Sequence, residues 1–276
     1  MNAEQELLLR TVAAPLAVGG LTGLFCALPR LPDVARQTLA ALAAAGAVLL
    51  VFWFERGLPN FPPTRALHWL WPVAGAALLA AFCGFAFPKQ RLWFLGAALI
   101  FVVWTHATRG GKWHDDADVW MVIFLCAAGW LVSLWAVGKT LSGRMGCLAL
   151  SGIFGSLAVT LLLTKSLLLA QLSGAMACVL LGLVICGRTV FVGLFAPLLC
   201  VAVFLCLHGY LFSRLQFTEM LLLAFGGLPV LTSPFVVRFF PGWIKAWIAA
   251  ALAVLVPALM ALWVLFRVRP WEDPYF

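Results

Sequence analysis

Few side chains in this sequence could do chemistry, and they are scattered. The densest polar run is Arg109, Gly110, Gly111, Lys112, Trp113, His114, Asp115, Asp116, Ala117, Asp118. Its carboxylates and imidazole are donors a divalent cation accepts. A single short D-D-x-D cluster also describes a solvated loop with a capping aspartate at the start of the next helix, so no metal site is predicted. His106 and His208 each stand near the end of an apolar run, without an acid or second histidine three or four residues on, and both are expected at an interface. The eight cysteines all lie in apolar runs with no C-x-x-C pair, which predicts small, polarizable packing residues. Four uncharged polar residues, Gln171, Ser173, Thr232 and Ser233, are the substrate-binding candidates. No catalytic residue and no cofactor is predicted.

The elements that must position these residues are membrane helices. Charged residues make up 10% of the 276 and hydrophobic ones 64%, against about 25% and 45 to 50% in a soluble domain. Such a chain lacks the polar surface to cover a globule. A spanning helix takes roughly 20 apolar residues. In those units, ten spans fall at about 8 to 28, 36 to 54, 66 to 87, 91 to 107, 118 to 138, 145 to 163, 167 to 187, 190 to 211, 217 to 239 and 244 to 266. The expected fold is an all-α polytopic integral membrane helix bundle of about ten transmembrane helices, one transmembrane domain over residues 1–276 with no extramembrane domain. Nine spans result if the sixth and seventh, divided only at Thr164, Lys165 and Ser166, are one. Glu4 and Glu6 precede the first span where a signal peptide would carry positive charge, so that span is expected to be retained.

The net charge of +8 is spread one or two cations per connection, the juxtamembrane pattern rather than a nucleic-acid patch. On alternating topology each side of the membrane carries nine Lys and Arg, so their count sets no orientation. Nine of the ten acidic residues lie on the side of the termini, with Asp33 alone opposite. That asymmetry points the termini away from the cytoplasm of a bacterial-type inner membrane. No span has an ionisable residue in its middle third; Glu219 and Arg188 are expected near headgroups. Coupling through a buried carboxylate is therefore disfavoured.

The spans are not alike. No tryptophan occurs from residue 136 to 242, which removes an interfacial anchor from spans six to nine and predicts that some are surrounded by protein. The same region repeats small residues four apart, as in Ser151 with Gly155, Gly152 with Ser156, Ala170 with Gly174 and Gly174 with Cys178, a spacing that allows close helix packing. Span nine contains Gly226, Gly227, Pro229, Thr232, Ser233 and Pro234, enough breakers to interrupt it near its middle.

Two enzyme patterns fail on residues. Intramembrane prenyl-transfer enzymes use two aspartate-rich motifs, and here there is one. Ser151 to Gly155 with Ala170 to Gly174 echoes the serine and histidine helices of rhomboid proteases, but Gln171 stands where a base is needed and cannot relay a proton. Ten spans dividing into five and five near residue 138 resemble the drug/metabolite transporter superfamily in size and span count, without repeated sequence between the halves. The first functional expectation is a small uncoupled or exchange-type permease for a small solute, its site where spans six, seven and nine meet. The alternative is a non-catalytic subunit or assembly factor of a larger membrane complex. Expected partners are the lipid bilayer and membrane-protein partners or further copies of the chain, with no nucleic acid and no enzyme activity.

Overall fold

The computed structural model describes residues 3–57, 63, 65–107, 117–141, 143–186 and 191–268. Among these every regular element is helical. In chain order they are α1 (Gln5–Ala27), α2 (Asp33–Arg56), α3 (Ala66–Ala86), α4 (Arg91–Ala107), α5 (Ala117–Thr140), α6 (Gly143–Leu163), α7 (Leu167–Cys186), α8 (Phe191–Phe212), α9 (Phe217–Ala224), α10 (Leu228–Val236) and α11 (Gly242–Val268). Eight are long and apolar enough to cross a membrane, and nine segments cross if α9 and α10, bent by 41° at their junction, form one span. Helix α4 has 17 residues, a rise of about 26 Å against a hydrocarbon core of about 30 Å. Eight such helices point to an integral membrane protein.

Local sequence explains the irregularities. Pro15 has no N–H to give and crowds the carbonyl four residues back, that of Thr11; the preceding turn, Leu9–Ala13, is a π-helix, a common way to absorb that misfit. The sixth and seventh segments are two helices. Lys165 takes the left-handed conformation, φ +63°. The amide of Ser166 donates to the Leu161 carbonyl at 3.0 Å and that of Lys165 to Leu162 at 3.0 Å, bonds that close a helix C-terminus.

Helix α8 is the axis of the bundle. It packs against α2, α3, α4, α5 and α9, and 89% of the residues in its most apolar stretch are buried, against 22% in α1. A helix apolar all round belongs in such a place. Tryptophan-free spans surrounded by protein are thus found in α8 and, at 67%, in α7.

Backbones approach closely between α8 and α2, where a Cβ on Gly193 would lie 2.1 Å from the Gln37 carbonyl oxygen, and between α1 and α7. A Cβ built on Gly19 would lie 2.3 Å from the Val179 carbonyl oxygen, and one on Gly182 would lie 2.4 Å from the Gly20 nitrogen. Gly19 and Gly23 are four residues apart, and so are Cys178 and Gly182. Of the predicted small residues, Gly152 packs on Val254 of α11, while Gly155 meets nothing within 4 Å. Among the described residues α6 and α7 share the most extensive helix contact, as the small-residue spacing predicts, and glycines also bring α1 backbone-close to α7 and α8 to α2.

Between α1 and α2 the turn is held by a buried guanidinium. Arg36, 3% exposed, donates to the carbonyls of Cys26 and Leu28, each at 2.9 Å, and pairs with Asp33 at 2.6 Å. These are C-terminal carbonyls of α1 with no helical partner. Replacing Gly182 by Ala should lower the unfolding temperature of the detergent-solubilised protein, since overpacking against backbone costs about 1–3 kcal/mol. Gly46→Ala, where a Cβ meets nothing within 4 Å, should leave it equal or higher; fluorescence-monitored melts of the two variants check the pair.

Candidate functional site

The four predicted site residues fall on two helices that share no substantial interface. On α7, Ser173 is fully buried and its hydroxyl donates to the Phe154 carbonyl of α6 at 2.8 Å. Gln171 is buried with its amide nitrogen unpartnered. On α10, Thr232 is exposed and donates to its own turn at the Pro229 carbonyl, 2.7 Å, while Ser233 is buried. None of the four lines either of the two principal cavities, and they do not gather at one point. Hydroxyls in apolar helices bond the nearest carbonyl because no water competes for them. His208 is held between the rings of Phe204 and Phe212, at centroid distances of 5.7 and 4.6 Å. The aspartate cluster up to Asp116, the side chains of His106 and Asp118, and Arg188 lie outside the described residues.

The predicted interruption of span nine is present and is closed by a residue the sequence reading passed over. Helix α9 stops at Ala224 and α10 starts at Leu228. Ser133 of α5, buried, donates its hydroxyl to the Ala224 carbonyl at 2.6 Å and accepts the Gly227 N–H at 3.3 Å. One side chain thus satisfies one orphan acceptor and one orphan donor of the break. The chain can approach because Gly129, one turn before Ser133, has no side chain; a Cβ there would lie 2.9 Å from Ala224 Cβ and the Phe225 ring. On the other side Gly226 abuts the ring of Pro257 in α11, 2.6 Å from a built Cβ. The break is buried in protein rather than open to a cavity. The four-residue spacing of Gly129 and Ser133 was the available signal.

Glu219 does not face headgroups as the sequence suggested. It is 1% exposed, accepts the Gln216 N–H at 2.9 Å at the start of α9, and accepts a hydrogen bond from Arg267 Nη2 of α11 at 3.0 Å. Arg267 Nε lies 2.7 Å from Oε1 without the alignment of a hydrogen bond. Its partner is 48 residues away in sequence, so local reading could not supply it.

A cavity among the described residues lies elsewhere. A cleft of about 620 Å³ opens between α4 and α5, with α3 and α8 as its back. Its walls are Ala80, Ala81, Leu92, Leu95, Leu131, Trp135 and Phe195 among others, and two cations, Arg91 and Lys139, stand at one end. The cleft exists because α4 and α5 hardly touch each other while both pack on α8. Arg91 is laid across Gly84, where a Cβ would lie 2.8 Å from its Cγ, and Lys139 Nζ sits 4.8 Å over the Trp135 ring. No described carboxylate pairs with either cation, and Asp33 is engaged by Arg36. In the sequence both cations are ordinary helix-end charges, and nothing there distinguishes them from the other sixteen Lys and Arg.

No known family, no curated protein and no solved structure matches the chain.

Ser133→Ala should destabilise the protein by about 1–2 kcal/mol, since it strands two buried backbone groups, and a denaturant or thermal titration in detergent reads this directly. For the ion pair, Arg267→Gln alone should cost more than Glu219→Gln with Arg267→Gln together, because the single change leaves a buried carboxylate unpaired and the double change removes it. Melting temperatures of the two variants decide the order.

Proposed function

We propose that this chain is a ten-span integral membrane protein without an extramembrane domain, resident in a bacterial-type cytoplasmic membrane, and that it is an uncoupled or exchange-type permease for a small solute taken up in the cleft between α4 and α5. The observation that carries this reading is the cleft itself. Its volume falls within the roughly 300–1,000 Å³ of ordinary ligand sites. Apolar walls with two convergent cations suit a solute with an apolar body and an anionic group. The slight contact between α4 and α5 gives a wall that can move without breaking a packed core. The described lining residues include no carboxylate to couple solute movement to protons or sodium, which suits an uncoupled or exchange-type permease. The four uncharged polar residues first singled out, Gln171, Ser173, Thr232 and Ser233, are assigned to packing in this proposal.

A second reading, a non-catalytic subunit or assembly factor whose partners are other membrane proteins or further copies of the chain, is favoured by one observation. Ser173 and Thr232 are spent on backbone carbonyls, as they would be in a scaffold. Reconstitution separates the two. A permease should exchange a labelled amphiphilic anion across proteoliposomes equally with and without a pH or sodium gradient, and Ala81→Trp, which fills the cleft, should lower exchange by about tenfold or more. Absence of exchange, together with a stoichiometric partner on gentle extraction, would replace the permease by the subunit.

A further inference from the structure

We propose that the α4–α5 cleft holds one anionic phospholipid of the surrounding leaflet, its phosphate between Arg91 and Lys139 and an acyl chain along Leu92, Leu95, Leu131 and Trp135. This names the ligand class of the same cleft and so rests on the reading of that cleft as the binding site.

Three observations select a lipid over a water-soluble anion. The first is depth. From Lys139 at the cationic end to Leu131 the cleft follows α5 for eight residues, about 12 Å at the helical rise, close to the roughly 15 Å of one leaflet's hydrocarbon. The second is level. Trp93, 80% exposed, stands two residues from Arg91, and an exposed tryptophan marks the headgroup zone. The cations are therefore where a phosphate lies, and the apolar walls run inward from them as an acyl chain does. The third is charge. On ten alternating spans, the side holding Arg91 and Lys139 carries nine cations and one carboxylate, and the other side carries nine of each. The entire formal charge of +8 thus faces one leaflet. The carboxylate of that side is already paired with Arg36, so neither Arg91 nor Lys139 has a described internal counterion. Juxtamembrane cations attract anionic lipid, and Gly84 beneath Arg91 together with Trp135 beside Lys139 holds two of them at the mouth of one cleft.

The test is native mass spectrometry of the full chain purified in micelles containing equal phosphatidylglycerol and phosphatidylcholine, counting lipid retained after stepwise removal. The chain should keep one phosphatidylglycerol, favoured over phosphatidylcholine by about tenfold. Arg91→Gln with Lys139→Gln should abolish the preference, both residues being exposed and tolerant of change. Arg144→Gln with Lys245→Gln, the same charge removed from the same side outside the cleft, should leave it intact. Ala81→Trp should remove the retained lipid whatever its headgroup. Equal retention of the two lipids, or equal loss of preference in both double variants, would overturn the assignment. Retention of phosphatidylglycerol without exchange across vesicles would remove the permease and leave the lipid site standing; exchange of a water-soluble anion with no retained lipid would do the reverse.

Discussion

Inside hydrocarbon a peptide N–H or carbonyl without a partner has no water to turn to, at a cost of several kcal/mol, and the polar residues of this bundle are disposed to prevent that. Where helix geometry leaves groups over, a side chain from elsewhere takes them: Ser133 spans the break between α9 and α10, and Arg36 gathers the last carbonyls of α1. Where it does not, hydroxyls double an existing bond, as Thr11, Thr160 and Thr164 do with carbonyls three or four residues back. Most of the interior's uncharged polar capacity is thereby consumed. Ser173 and Thr232, which look like solute contacts in the sequence, each give their hydroxyl to a backbone carbonyl in this way.

The same constraint governs how the helices meet. Lipid gives apolar faces no reason to associate, so contact is bought by close approach and by hydrogen bonds. Helices α1 and α7 approach through Gly19, Gly23 and Gly182, and α6 and α7 exchange Ser151 and Ser173 bonds with each other's carbonyls. Helix α8, with neither charge nor tryptophan along its length, fills the middle. Helices α4 and α5 share neither device, and the space between them is the cleft.

On the proposed topology of ten alternating spans, charge is arranged as asymmetrically as packing. On the side of the termini, Arg10 pairs with Glu6 and Arg267 with Glu219, leaving little net field. On that topology cations outnumber carboxylates nine to one on the opposite side. A count of Lys and Arg alone hides this, because the cation numbers are equal; it is the distribution of acids that makes one face positive.

Composition and periodicity by themselves determined the solvent, the helices and their approximate limits, because hydrophobic length is a property of consecutive residues and a bilayer reads it segment by segment. The break in span nine was legible for the same reason, Gly226, Gly227, Pro229 and Pro234 being neighbours in the chain, and so was the burial of two of the tryptophan-free helices, α7 and α8. Which polar residues meet was decided only by tertiary structure. Ser133 reaches Ala224 across 91 residues and Arg267 reaches Glu219 across 48. Arg91 and Lys139 share a cleft through the way α4 and α5 lean on α8. Such pairings follow from helix rotation and tilt, and packing against neighbours sets those.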